Sequence, residues 1–167
     1  MRHSREDYTP KSSRPAFEGS ETPRTLDPVR DRDKSMSRTR ILVVDDNVEI
    51  LDHVSELLGA DYDIIGKVED GALVFAEVAR LKPNLIVLDI SLGDGSGIEI
   101  CRQLREQGYA GEIVFLTVHE DPDFVSAAIG AGGRGYVIKS RMTVDLDLAV
   151  KAALLHRVFV SHPLQQQ

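Results

Sequence analysis

The 167 residues predict an α/β fold: a five-stranded parallel sheet with helices on both faces. Two observations carry this prediction. Short apolar runs rich in β-branched residues alternate five times with segments whose apolar residues recur at helical spacing. Five successive β/α units require parallel strands, and such strands are buried on both faces by the crossover helices. The connections are short, so each crossover is tight.

The elements follow in order. The run 41–44 is the first strand and ends in Asp45 and Asp46. Asn47 is placed to cap a helix in which Ile50, Leu51, Val54, Leu57 and Leu58 form one face, and Gly59 stops or weakens that helix. A second strand spans 62–68. A second helix spans 72–81 and ends before Pro83. The third strand, 85–88, runs into Asp89, and a third helix follows over 98–105 with Ile100, Cys101 and Leu104 on its apolar side. The fourth strand, 113–116, ends in Thr117 and is followed by a helix over 121–131. The fifth strand, 134–138, ends at Lys139, and the fifth helix covers 143–156.

Composition bounds what such a domain does. The apolar fraction is 42% and the mean hydropathy −0.16, enough for a core. Residues 1–38 hold 9 basic and 7 acidic side chains, and the rest 11 and 20, so the net charge of −7 is the sum of +2 and −9. An acidic domain does not bind nucleic acid through its whole surface, and no direct nucleic-acid binding is expected of this chain. Cys101 stands alone, which excludes an internal disulfide and fits a reducing cytosol. No apolar run reaches 18 residues and no secretory signal opens the chain, so a cytoplasmic protein with no membrane span is expected. Residues 1–38 lack periodicity and read as a disordered N-terminal extension, a solvated leader rather than a basic binding arm. Met36 is an alternative start. The folded domain is expected over 39–158, with a short tail over 159–167.

Four strand ends carry polar residues that a plain core does not need: Asp45 with Asp46, Asp89, Thr117 and Lys139. In a parallel sheet the C-terminal strand ends lie on one edge, where open α/β sheets bind ligands. Three gathered carboxylates repel one another, and a hard divalent cation such as Mg²⁺ relieves this. Asp89 then remains ionised as a nucleophile for a phosphoryl group, Lys139 supplies a mobile positive charge, and Thr117 supplies a hydroxyl donor. Singly, each residue has an ordinary structural use, as turn, cap or solvated charge. The following loop, 90–97, contains three glycines but matches neither nucleotide-binding pattern, so these read as turn residues. Ser96 and Glu99 have capping-box spacing.

These residues carry a family resemblance. ILVVDDN at 41–47, LIVLDISLGDGSG at 85–97, IVFLTV at 113–118 and GAGGRGYVIKS at 130–140 together resemble the receiver domain of two-component response regulators. The resemblance implies a flavodoxin-like, doubly wound sheet of order 2-1-3-4-5. It implies that Asp89 takes a phosphoryl group from a sensor histidine kinase or a phosphotransfer protein. Asp46, Asp89 and the backbone carbonyl of Ser91 would bind Mg²⁺ directly, and Asp45 through a bound water. Thr117 and Tyr136 would be the switch residues, with Tyr136 turning inward on activation, and Lys139 would pair with the phosphoryl group.

The sequence also departs from the family pattern. Gly93 stands where proline is usual, which predicts a looser loop. Val118 stands where a small residue is usual, which predicts narrower access to the site. Ser91 and His119 fall at positions that look like those tuning phosphoryl lifetime, with His119 either positioning water or lying idle on the surface. GRGYVIKS and Phe159-Val160-Ser161-His162-Pro163 resemble the branch that carries a C-terminal helix-turn-helix domain, for which no room remains before Gln167. Either the chain is a stand-alone receiver, or it is a fragment or a diverged protein that lost that module; a stand-alone receiver would signal through its own surface. The fifth helix is too apolar for one face to bury (Val144, Leu146, Leu148, Val150, Leu154 and Leu155 among others), which predicts a homodimer or a downstream protein partner on the face of the fourth helix, fifth strand and fifth helix. A phosphorylated protein that stays strictly monomeric, with Leu146 and Leu154 fully buried within one subunit, would count against it. Two other readings stay open: a phosphorylation-independent interaction module with a vestigial pocket, and a Mg²⁺-dependent aspartyl-phosphate phosphohydrolase. The latter would need a second acid/base carboxylate at position 91, which is a serine.

Overall fold

The computed structural model describes residues 37–161. The readings of 1–36 as a disordered extension and of 162–167 as a frayed tail lie outside the described residues. Residues 37 and 38 belong to the folded unit, because the Arg38 guanidinium donates to the carbonyls of Gly59 and Ala60.

Six parallel strands form the main sheet: β1 (Arg40–Val44), β2 (Asp63–Val68), β3 (Leu85–Asp89), β4 (Glu112–Thr117), β5 (Gly135–Ile138) and β6 (Phe159–Val160). Their spatial order is β2-β1-β3-β4-β5-β6. The expected five-strand order 2-1-3-4-5 is present, and β6 adds a two-residue strand beyond β5. That strand lies in the segment read as tail. Its register is Gly135↔Phe159 and Tyr136↔Val160. The helices are α1 (Val48–Leu58), α2 (Val74–Leu81), α3 (Gly97–Glu106), α4 (Pro122–Gly130) and α5 (Met142–Leu154).

Strand side chains alternate between two cores, as a two-residue period demands. Leu42, Val44, Ile86, Leu88, Phe115 and Tyr136 pack with α2, α3 and α4 residues such as Val74, Val78, Leu104 and Ala128. Ile41, Val43, Leu85, Val87, Val114 and Val137 pack with Leu51, Val54 and Leu58 of α1 and with Leu146, Ala149, Val150 and Ala153 of α5. Burial on both faces explains why these strands are unbroken apolar runs.

Helix ends follow local chemistry in most places. Asn47 Oδ1 accepts from the Glu49 N–H at 2.9 Å, as expected for the α1 cap. Asp121 Oδ1 caps α4 by accepting from Asp123 N–H at 2.8 Å, with Pro122 in the first turn. The capping box predicted at α3 does not form. Ser96 makes no side-chain cap hydrogen bond. Glu99 is drawn down the helix instead, where it pairs with Arg102 and accepts from Gln103 Nε2 at 3.1 Å. The start of α3 is fixed by backbone: Gly97 N–H donates to Ile90 O at 2.7 Å. A Cβ on Gly97 would lie 1.9 Å from the Asp89 carbonyl oxygen, so only glycine fits there.

Helix α5 buries more of its apolar residues than expected. Leu146 is fully buried within the subunit, and Leu154 is half-buried against the same core. The outward apolar residues are Val144, Leu148 and Leu155, at 62%, 51% and 65% exposure. The apolar surface lies there and not at Leu146.

Candidate functional site

The strand register brings the polar strand ends together. Val44↔Leu88 aligns β1 with β3, Asp89↔Leu116 aligns β3 with β4, and Thr117↔Ile138 aligns β4 with β5. Asp45, Asp89, Thr117 and Lys139 therefore emerge side by side at the C-terminal edge of the sheet. Asp45, Asp46 and Asp89 each place a carboxylate oxygen within 4.8 Å of the others. Asp45 and Asp89 are buried and Asp46 is exposed, so one acid opens to solvent. A cleft of about 600 Å³, lined in part by Phe75, Leu92, Gly93 and Glu99, begins at Asp46.

Lys139 holds the two buried acids. Its Nζ lies 2.7 Å from Asp45 Oδ2 and 3.0 Å from Asp89 Oδ2. Asp45 Oδ2 has no hydrogen-bond partner, so the ion pair with Lys139 is its compensation. The remaining oxygens are oriented by backbone amides: Asn47 N–H donates to Asp45 Oδ1 at 2.9 Å, and Ser91 N–H to Asp89 Oδ1 at 3.2 Å. Burial raises the Asp89 carboxyl above its ordinary range, the Lys139 hydrogen bond pulls it back, and the Asp45 charge raises it again. Burial alone would lower the Lys139 ammonium, but its pairing with Asp45 and Asp89 outweighs this and raises it. The two buried acids thus share one lysine that sits in the same pocket.

Three carboxylates with one solvent-facing member form a donor set suited to a hard divalent ion with water in its remaining positions. The chemistry of these oxygen donors fits a metal site.

The loop after Asp89 is tied down. Gly93 N–H donates to Asp46 Oδ2 at 3.1 Å, and Gly93 has φ +56. Proline could supply neither that donor nor that φ. The expected looser loop is therefore corrected: glycine here anchors the loop to the acidic cluster, and Ser91–Leu92 pairs with Gly95–Ser96 in a small antiparallel ladder. Val118, the residue expected to narrow access, is 64% exposed.

Thr117 is fully buried, and its Oγ1 accepts from His119 N–H at 3.2 Å. His119 is not an idle surface residue. Its Nε2 lies 2.8 Å from Ser91 Oγ, its ring stacks on Phe124 at 4.2 Å, and its carbonyl accepts from Tyr136 OH at 2.8 Å. Tyr136 is fully buried, already turned inward, and its phenol is pushed up to about 12, chiefly by burial. The His119 connections escape single-residue reading, but a signal existed. Ser91 and His119 each lie two residues past the end of neighbouring strands, β3 and β4, which brings both to the same edge of the sheet.

Comparisons with known proteins agree with this geometry. The family model for the response regulator receiver domain matches residues 41–151. The chain is 35% identical over 114 residues to the DNA-binding transcriptional activator DevR/DosR of Mycobacterium tuberculosis, covering 67% of this chain and 52% of that protein. It is 38% identical over 130 residues to a protein-glutamate methylesterase/protein-glutamine glutaminase of a Nocardioides species, covering 74% of this chain and 36% of that protein. The chain thus spans about half the length of the first relative and less of the second. Among solved structures, a two-component response regulator of the LuxR family from an Aurantimonas species superposes with a TM-score of 0.74 at 29% identity, covering 78% of this chain and 94% of that one. The response regulator domain of Thermotoga maritima CheB, at 18% identity and a TM-score of 0.65, shares the fold.

Proposed function

We propose a function from one premise: this chain belongs to the response regulator receiver domain family, as the match over residues 41–151 shows. Asp89 accepts a phosphoryl group from the phosphohistidine of a sensor histidine kinase or a phosphotransfer protein, in the cytoplasm. The observation that carries this reading is Lys139 Nζ bridging Asp45 and Asp89 at 2.7 and 3.0 Å, inside a three-carboxylate cluster.

In the reaction an Asp89 carboxylate oxygen forms the new O–P bond as the P–N bond to the donor imidazole breaks, and the imidazole nitrogen keeps the electron pair. Ser91 N–H holds Asp89 Oδ1 and so fixes the carboxylate plane. Lys139 Nζ lies where it can leave Asp89 Oδ2 for the arriving phosphoryl oxygens. Thr117 turns its hydroxyl from the His119 amide to the phosphoryl group, and the Tyr136–His119 contact registers the change. Asp45, Asp46, Asp89 and the Ser91 carbonyl would hold Mg²⁺, which supplies charge neutralisation for the transferring group. The chain serves as a signalling acceptor and not as an enzyme with a small-molecule product. The exposed Val144 and Leu148 on α5 and Leu155 just past its end support pairing with a second copy, or docking of a downstream protein, on the α4-β5-α5 face.

The test is direct. The protein is incubated with Mg²⁺ and a small phosphodonor, and acyl phosphate is located by mass. A label at Asp89 that is lost in Asp89→Asn is expected. No label from any donor would favour a phosphorylation-independent module, and rapid turnover of phosphate monoesters would favour a phosphohydrolase.

A further inference from the structure

Strand β5 carries Tyr136 and leads directly into Lys139, and its outer edge is not open. Phe159 N–H donates to Arg134 O at 2.9 Å, and Ser161 N–H donates to Tyr136 O at 2.8 Å. In return Ile138 N–H donates to Ser161 Oγ at 3.2 Å. Ser161 has no exposed surface, and Ile138 has 2%. A buried amide without an acceptor is costly, so the serine hydroxyl is what lets this strand end stay dry.

The same strand is bound on its inner side to the acidic pocket. Tyr136 OH reaches His119 O, His119 Nε2 meets Ser91 Oγ, and Ser91 N–H holds Asp89 Oδ1. From the other end, Lys139 Nζ donates to Asp89 Oδ2. Asp89, Ser91, His119, Tyr136, Ser161, Ile138 and Lys139 thus close a ring of hydrogen bonds and chain bonds. Ser161 is its outermost member.

We infer that Ser161 is a positioning residue: it fixes the backbone of Ile138, and through it the reach of Lys139 to Asp89, so that the pairing of Ser161 beside β6 registers the state of the acceptor. The signalling meaning rests on the phosphoacceptor reading, whereas the coupling itself does not. Coupling between two sites is reciprocal, so a change at Asp89 must bias the Ser161 pairing as much as Ser161 biases the pocket.

The experiment follows amide hydrogen exchange and phosphodonor labelling in the whole chain, with wild type, Ser161→Ala, Ser161→Thr and Asp89→Asn compared. Ser161→Ala should speed exchange at Ile138 about fivefold, the worth of one ordinary hydrogen bond. It should also slow labelling of Asp89 by a similar factor, and Ser161→Thr, which keeps the hydroxyl, should restore both. Asp89→Asn removes one partner of Lys139 without any phosphoryl chemistry, and should shift exchange at the Ser161 amide by at least about twofold on the same reasoning. The inference is overturned if Asp89→Asn leaves the Ser161 amide unchanged. It is also overturned if Ser161→Ala speeds Ile138 exchange while wild-type and variant labelling rates stay equal, since that marks a purely structural serine. If wild type takes no label at all, the phosphoacceptor reading fails by itself, and the Asp89→Asn exchange arm still decides the coupling.

Discussion

Replacing Lys139 with methionine keeps the volume of the stem and removes only its charge. Two buried carboxylates then lose the cation that lies 2.7 and 3.0 Å away. Breaking a buried pair by deleting one partner costs about 3–5 kcal/mol. Lys139 retains 15% exposure, so solvent relieves part of this, and about 3 kcal/mol is the reasonable loss. For a domain of this size that corresponds to a melting temperature lower by roughly 10 °C at pH 7.5. The pH dependence has a definite sign. Burial already raises the Asp89 carboxyl, and Lys139 opposes the rise. Without the lysine the folded-state value climbs further above the unfolded one. The folded variant therefore holds a proton more tightly than the unfolded chain, and its deficit is greatest above the folded-state pKa and shrinks as pH falls through it. Melting curves in chelator at pH 7.5 and pH 5 should show the gap to wild type closing toward about 1 kcal/mol. A gap that stays constant or widens on acidification, or one below about 1 kcal/mol at pH 7.5, would refute this account of the pocket.

Other outcomes follow from single contacts. Gly93→Pro, which installs the residue usual in the family, should lower stability by about 1–3 kcal/mol and weaken divalent-ion binding measured by calorimetry, because it removes the donor to Asp46 and forbids a φ of +56. Leu148→Lys should abolish any self-association seen by sedimentation of the Mg²⁺- and phosphodonor-treated protein, while the monomer melts within about 0.5 kcal/mol of wild type because Leu148 is half exposed.

The five long strands were legible because burial on both faces leaves an unmistakable apolar run, and a polar residue ending such a run marks the ligand-binding edge. Asp45, Asp89, Thr117 and Lys139 were readable for that reason. Strand β6 was not, because two residues establish no period and His156, at φ +57, turns the chain back without a glycine to announce it. The α3 cap failed because Glu99 had competing partners three and four residues on, which spacing alone does not rank. The apolar excess of α5 was legible, but which of its residues face outward was not, since composition alone does not say that Leu146 points to the sheet and Leu148 away from it. The Gly93 tie to Asp46 depends on a backbone N–H, which carries no side-chain signature.

Gly97 has a practical consequence for genetics. Its Cα lies against the carbonyl of the very residue proposed as acceptor, and no side chain can be inserted between them. A screen for loss of signalling would return Gly97 alleles beside Asp89 alleles with the same phenotype. Protein abundance should separate the two classes: Asp89 alleles are expected to accumulate as folded protein, and Gly97 alleles to be depleted because the clash with the Asp89 carbonyl blocks folding.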